Sequence, residues 1–534
     1  MANDEWWRGA VTYQVYPRSF LDTSGDGVGD LAGITGKLDY IAGLGVDALW
    51  ISPFYRSPMD DFGYDVADHT DVDPLFGSLA DFDRLLARAH ALGLRVILDL
   101  VLSHTSSAHA WFADSRAARD GERADWYVWA DARDDGSPPN NWLSVFGGPA
   151  WTWDARRRQY YFHNFLASQP DLNVHLPAVQ NALLDVTRFW LDRGVDGLRL
   201  DAINYLLHDE ALRDNPPATD VARPAATPWQ MQDKRYTRDH PAVPAFLERL
   251  RALTDRYGAI LTIAEVGGRG TLDVMREYTA GRRRLCTAYG FEFLAAAAPD
   301  VALFDEVLEA WPDAADGWPS YAFSNHDAPR VASRWGDGAD SGRLARLWGL
   351  LLFCLRGNPI VYQGEELGLP QADVPYERLR DPEARAHWPE TLGRDGARTP
   401  MPWRRDAPHA GFSAAEPWLP VDPRHRPLAV DVQESKTDSV LAFFRDLIAL
   451  RRRLPALSRG GLRRIDAGEG LLAFERRAGD ERVLAVFNPG PATRRWQPPA
   501  GARVILGVGT ATAGNAAPAQ LAGYAGYLAE LVAA

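Results

Sequence analysis

Cysteine is almost absent: Cys286 and Cys354 are the two in 534 residues, far apart and in no CxxC arrangement. That scarcity excludes a disulfide framework and a thiolate zinc site. Long apolar runs are lacking as well. The longest, Leu347 to Leu355, ends at Arg356, well short of the about 20 residues a bilayer demands. Positive charge is short too: 58 Lys and Arg stand against 71 Asp and Glu, a formal net charge of −13. A nucleic-acid backbone or an anionic membrane is therefore a poor partner, while neutral and cationic ligands stay open. The opening MANDEWWRGA is acidic and aromatic instead of basic then apolar. The expectation is a soluble, cytoplasmic protein without a signal peptide. Signatures of other enzyme classes are missing. DLAGITGKLD has a Gly-Lys pair but not the preceding glycine or following Ser/Thr of a phosphate loop, and neither HExxH nor GxSxG occurs.

What is present reads as globular. Apolar residues make up 46% and charged residues 24%. The length exceeds one compact unit and implies two or three domains. Apolar, β-branched runs predict strands at Val11–Tyr16, Ala48–Ser52, Arg95–Val101, Gly197–Asp201, Leu261–Val266, Ala288–Phe293, Tyr321–Ser324 and Asn358–Tyr362. Amphipathic stretches such as 79–92, 179–193 and 244–257 predict helices between them. Eight strand–helix units fit an α/β (β/α)₈ TIM barrel with insertions better than a doubly wound sheet, the structural alternative. Residues 104–173 break the third unit with aromatic, loop-like text, DWYVWADARDDGSPPNNWLSVFGGPAWTWD. They are expected to form a small inserted B domain, leaving 1–103 and 174–455 for the barrel. Beyond a helix at 441–454 the pattern changes to short strands, LLAFERR, ERVLAVFN and ARVILGVG. Residues 456–534 are expected to form a C-terminal all-β sandwich.

In a barrel, functional groups gather where strands end. The third strand runs into DLVLSH, with Asp99 and His104; the fourth into GLRLDAIN, with Arg199 and Asp201. The latter two are two apart on a strand, so both side chains point the same way. A guanidinium beside a carboxylate keeps it ionised. The fifth strand, TIAEV, carries Glu265 after an apolar run, where a carboxyl tends to keep its proton. The seventh ends SNHD, with His326 and Asp327. A strand-end Asp alone is more often a helix cap, and a lone His more often a satisfied structural residue. Four coincident strand ends point elsewhere. Two carboxyls of unlike protonation flanking a bond are what glycoside hydrolysis requires.

The ordered motifs VYPRSF, DGVGDL, GYDV, DLVLSHTS, QPDLNV, GVDGLRLDAI, IAEV, FSNHD and GARTPMPW resemble the α-amylase superfamily (glycoside hydrolase family 13), most of all its oligo-1,6-glucosidase and α-glucosidase branch. The resemblance implies a barrel, a B domain, a C-terminal sandwich and a retaining mechanism. It makes Asp201 the nucleophile, Glu265 the acid/base and Asp327 the third carboxylate. Arg199 would orient Asp201, and His104 and His326 would bond the −1 sugar. Tyr64 would stack on that sugar, and Asp65 with Arg398 would close the pocket to make the enzyme exo-acting; Arg394 is the competing partner. Three positions depart from the pattern. Ser103 replaces the Asn that helps bind calcium in α-amylases. Val174 replaces the Trp that usually ends QPDLNW. Ala202 follows the nucleophile where oligo-1,6-glucosidases usually carry Val, which implies α-1,4 preference.

DTSGDGVGD places Asp22, Ser24, Asp26 and Asp30 at positions 1, 3, 5 and 9 of an EF-hand-like loop, with Gly27 at the sharp turn and the Val28 carbonyl at position 7. Gly33 stands where the usual position-12 Glu would be. The bland reading is a solvated turn. In the resembling family this loop binds calcium or magnesium, so a structural divalent cation is expected and no organic cofactor. The function expected from the whole is a retaining exo-α-glucosidase acting on maltose and short α-1,4 glucosides, with some glucosyl transfer, as a monomer or homodimer. The alternatives are an oligo-1,6-glucosidase or trehalose synthase and, remotely, a non-catalytic barrel scaffold. APRVASRWG after SNHD lacks the Arg-rich run of sucrose isomerases.

Overall fold

The computed structural model describes residues 5–219, 227–268, 270–311, 317–336, 340–509 and 511–531. Eight parallel strands form its centre: Thr12–Val15, Ala48–Ile51, Arg95–Val101, Gly197–Asp201, Leu261–Val266, Thr287–Gly290, Ser320–Ala322 and Asn358–Tyr362. They pair in chain order, and Asn358–Tyr362 returns to Thr12–Val15. A parallel bridge from Ala288 to Pro319 closes the ring. These strands are almost wholly buried, which explains runs of apolar residues in place of strict alternation. Trp50, Ile97, Ile263, Tyr289 and Ile360 fill the interior, while a larger cluster packs strands against the helical ring.

Local chemistry sets the helix ends. Ser78 and Asp81 form a capping box at the start of Leu79–Ala91, whose buried face is Phe82, Leu85, Leu86 and Ala89. Proline opens Pro177–Asp192. Ser341–Cys354 is buried nearly all round. Gly349 there lies where an added Cβ would strike the Phe444 ring, and Leu347 approaches Gly526 of the C-terminal sheet. The longest apolar run is thus a helix wedged between a neighbouring helix and the C-terminal sheet. Among the described residues, no helix is long and apolar enough to cross a membrane.

Two strands end two or three residues sooner than the sequence suggests. The sixth stops at Gly290 and the seventh at Ala322. After Ala322 the polar side chains leave the ladder and bond locally: Ser324 Oγ accepts from Val331 N, and Asn325 Oδ1 accepts from Asp327 N and Ala328 N. That turn projects His326 and Asp327 from the strand end.

The insertion after the third strand carries a three-stranded antiparallel sheet of Trp129–Ala130, Gln159–Phe162 and Trp151–Asp154. Bridges from His104 to Asp171 and from Tyr127 to Leu172 tie it to the barrel rim. Residues 205–219 pack on it, with the Asn141 side chain donating to the Asn215 carbonyl and accepting from the Asn215 N–H. Residues 220–226 lie outside the described residues. At the C-terminus, Gly461–Ile465, Leu472–Ala478, Glu481–Asn488, Ala525–Leu531 and Ala502–Val508 form a five-stranded antiparallel sheet in that spatial order. A two-stranded ribbon of Arg494–Arg495 and Gln520–Leu521 joins it. Leu484, Val486, Val504, Tyr527 and Leu521 lie in the core of this C-terminal β domain.

Candidate active site

The carboxyl ends of the strands converge on one guanidinium. Arg199 is fully buried inside the barrel. Its Nη1 donates to Asp99 Oδ1 at 2.6 Å and to Asp201 Oδ1 at 2.7 Å, and its Nη2 pairs with Glu265 Oε1. These carboxyls come from the third, fourth and fifth strands. Three carboxyls sharing one cation out of water are not all ionised. Burial raises each and Arg199 opposes it. Asp99 is pushed up to about 6, and Asp201 and Glu265 to about 7 each. Arg199 does pair with Asp201, as expected, but it shares its charge with Asp99 and Glu265 as well. The guanidinium is divided among three partners, so it offsets burial only in part at each of them.

Asp327 behaves in the opposite way. Burial would raise it, but His326, Arg398 and Arg394 hold it well below the usual carboxylate range. Arg398 Nη2 lies 2.7 Å and Arg394 Nη1 3.5 Å from its Oδ1. His326 is fixed as a neutral ring, since burial pushes it down to about 3. Gln14 Nε2 donates to its Nδ1 at 2.8 Å, so its proton sits on Nε2, 2.7 Å from Tyr64 Oη. Tyr64 Oη in turn donates to Asp99 Oδ2 at 3.1 Å. Tyr64 is thus a buried link between two polar groups, its ring parallel to that of His326. His104, pushed by burial to about 3, meets Ser103 Oγ and the Tyr64 carbonyl.

Asp65 and Arg398 do not meet. Asp65 Oδ1 accepts from Ser57 Oγ at 2.8 Å and from Asp61 N at 3.0 Å, and its Oδ2 from Asp60 N at 2.9 Å. Phe62 and Gly63 have φ of 54° and 113°, so the chain reverses and turns Asp65 back onto its own loop. The carboxylate facing an arginine is Asp61, 2.8 Å from Arg394 Nη2, which is also 2.8 Å from Asp381 Oδ1. Arg398 instead donates through Nε to the His326 carbonyl. Arg394 is therefore the partner in the acid–arginine pair, and Asp61 replaces Asp65.

The alpha-amylase catalytic-domain family matches residues 14–460. The chain belongs to the alpha-amylase family. It is 53% identical over 496 residues to a probable alpha-glucosidase of Rhizobium meliloti (strain 1021), covering 91% of this chain and 89% of that one. It is 38% identical over 492 residues to an oligo-1,6-glucosidase of Heyndrickxia coagulans, covering 85% and 87%. Among solved structures, the alpha-glucosyl transfer enzyme XgtA matches with a TM-score of 0.94 at 50% identity, over 98% of this chain and 99% of that one. The trehalulose synthase MutB of Pseudomonas mesoacidophila MX-45 matches at 0.88 and 32% identity, over 98% and 99%. This alpha-amylase family member is a glycoside hydrolase of the α-glucosidase and oligo-1,6-glucosidase kind.

Several groups of this family member's site escaped the sequence reading. Gln169 Nε2 donates to Asp61 Oδ2 at 3.1 Å and lies 3.2 Å from His104 Nε2. The Phe146 ring lies under the Arg394 guanidinium at 4.9 Å. Tyr289 Oη reaches both Arg199 and Glu265. QPDLNV flagged the first; nothing local flags the other two. Ala202 adopts a left-handed conformation, φ 39° and ψ 42°, and its N–H donates to Glu265 Oε2 at 3.0 Å.

The Asp22–Asp30 loop closes on itself. Asp22 accepts from Gly25 N, Gly27 N and the Ser24 hydroxyl, and Asp30 from the N–H groups of Thr23, Ser24 and Gly33. Gly27 has φ 90°, as the turn requires. Burial would raise Asp22, yet bonds from Ser413, Gly27, Gly25 and Ser24 lower it. Among the described residues, no three His, Cys, Asp or Glu side chains are gathered as metal ligands. The oxygen donors suit a hard cation only if the Ser24 hydroxyl and Val28 carbonyl join the carboxylates.

Proposed function

We propose that this enzyme is a retaining, exo-acting α-glucosidase. It would release glucose from the non-reducing end of maltose and short α-1,4 glucosides through a covalent glucosyl-enzyme, and pass part of that glucose to acceptor hydroxyls. The observation that carries this reading is the sharing of Arg199 by Asp201 and Glu265. Carboxyls bound to one guanidinium stand close together. That favours the retaining separation of about 5–5.5 Å over the roughly 6.5–9.5 Å of inverting pairs.

Asp201 attacks the anomeric carbon while Glu265 protonates the leaving oxygen; Glu265 then deprotonates the water or sugar that resolves the intermediate. Asp327, held ionised by Arg398 and Arg394, binds sugar hydroxyls and favours the distorted ring. His104 and His326, both neutral, bond the same sugar. The Asp61–Arg394 pair with Phe146 supports a pocket closed at its far end, hence exo action. Ala202 supports α-1,4 preference through the space it leaves beside the scissile oxygen. The loop of Asp22, Ser24, Asp26, Val28 and Asp30 is proposed to hold a structural Ca²⁺ or Mg²⁺ away from the cleaved bond.

Glucosyl transfer is the second reading with a specific observation behind it, the 50% identity to an alpha-glucosyl transfer enzyme. Products from maltose and isomaltose, followed over time by chromatography, test both. Glucose formed faster from maltose than from isomaltose is the expected result, and early trisaccharide would mark transfer. Preferential cleavage of isomaltose would overturn the linkage assignment, and accumulation of trehalose would replace hydrolysis with isomerisation.

A further inference from the structure

Tyr289 lies on the sixth barrel strand, in register opposite Glu265 of the fifth. It is 1% exposed. Its phenol oxygen accepts from Arg199 Nε at 3.2 Å and Nη2 at 3.0 Å, and donates to Glu265 Oε1 at 2.8 Å. The geometry is fully used: two N–H groups take the oxygen's lone pairs, leaving the hydroxyl proton to point at the carboxyl. The ring rests against Trp50, with centroids 6.1 Å apart, which limits its rotation. The other oxygen of Glu265 is held by the Ala202 N–H.

We propose that Tyr289 is a positioning residue for the reaction, bracing the direct Arg199–Glu265 pair and keeping the Glu265 carboxyl ready to act as base when the glucosyl-enzyme is resolved. This rests on the assignment of Glu265 as the acid/base. In the first half-reaction Glu265 must give a proton to the leaving oxygen; in the second it must take one from water or an acceptor. A donor aimed at the carboxyl favours its ionised form. Burial raises the Tyr289 phenol far above its ordinary value, so it stays a neutral donor through the working range. Burial likewise raises Glu265, and the bond from Tyr289 counters that rise. Without the bond, Glu265 would serve longer as an acid and less well as a base.

The test compares wild type with Tyr289→Phe on maltose and on p-nitrophenyl α-glucoside across pH. With the latter, the good leaving group makes resolution of the intermediate the slower step. The alkaline limb of kcat/KM on maltose is expected to move up by about half to one pH unit in Tyr289→Phe. The kcat on p-nitrophenyl α-glucoside at pH 6 is expected to fall about tenfold, with a lowered KM as the intermediate accumulates. Site-specific 3-fluorotyrosine at 289, a stronger donor of nearly the same shape, is expected to move the limb down. It also keeps the test open should the Phe variant fold poorly. Unmoved limbs in both variants, or kcat and kcat/KM falling equally without a pH shift, would overturn the proposal. Glu265→Gln assayed with azide checks the underlying reading. Formation of α-glucosyl azide keeps Glu265 as acid/base, so a failure at Tyr289 is then its own. No azide adduct would remove the reading itself.

Discussion

At the scale of single residues, the decisive contrast is between two aspartates four positions apart. Asp61 meets Arg394, whereas Asp65 fastens its own loop. Removing the charge of Asp61 weakens a charge-assisted bond worth about 1.5–3 kcal/mol, so Asp61→Asn should lower kcat/KM on maltose roughly ten- to a hundredfold. Asp65→Asn should lower Tm and leave KM on maltose near wild type. Steady-state kinetics and thermal melts of the two variants check this, and the reverse pattern would restore Asp65 to the pocket. Glu265→Gln should cost about 10²–10⁴-fold on maltose, with less loss on p-nitrophenyl α-glucoside, whose leaving group needs little protonation. Equal losses on the two substrates would remove Glu265 as the acid. Asp201 and Glu265 were legible because each ends an apolar strand run, where a charged group has no packing reason to be. The Asp61–Arg394 pair was not, because PMDDFGYD offers three aspartates within six positions and only the reversal at Phe62 and Gly63 selects one. Tyr289 was hidden as well, since an aromatic residue in a buried strand reads as core until its hydroxyl finds partners.

At the scale of elements, all eight barrel strands were legible within a few residues, because parallel strands buried on both faces leave continuous apolar text. Ends were less so: SNHD leaves the ladder through side-chain bonds that composition does not encode. The Asp22–Asp30 loop is the element whose chemistry is most open to measurement. Its folding is already satisfied by backbone donors, so a cation would add stability without being needed to form the turn. Mg²⁺ or Ca²⁺ at a hundred times Kd should stabilise the fold by about 2.7 kcal/mol, read as a higher Tm than in EDTA. Asp26 is the member to change: it is exposed and accepts from Val28 N. Asp26→Asn should keep the Tm seen in EDTA and lose the response to metal. A wild-type Tm indifferent to chelator and to both cations would remove the ion from this loop.

At the scale of the whole molecule, the buried titratable groups set how stability depends on pH. His69, His104, His109, His163, His208, His326 and His425 are pushed by burial to about 3 or 4. The fold refuses them protons that the unfolded chain accepts below about 6.5, so their contribution is lost as pH falls from there. Burial raises Asp65 and Asp99 to about 6, Asp201 and Glu265 to about 7, and Glu365 to about 8. The fold keeps protons on these groups that the unfolded chain releases above about 4. Their contribution is present at low pH and lost as pH rises through 6 to 8. Acidification below about 6.5 thus removes the histidine contribution, and the carboxyl set opposes that loss. Glu365 isolates the carboxyl half of this argument. It is buried just beyond the eighth strand, its Oε1 has no hydrogen-bond partner among the described residues, and its Oε2 accepts from Tyr362 N at 3.3 Å. Glu365→Gln keeps the shape and removes one proton bound by the fold. Between pH 5 and 6.5 the net uptake on unfolding should rise by one, steepening the decline by about 1.4 kcal/mol per pH unit. Denaturant melts at several pH values measure that slope, and an unchanged slope would mean that Glu365 is ionised in the fold.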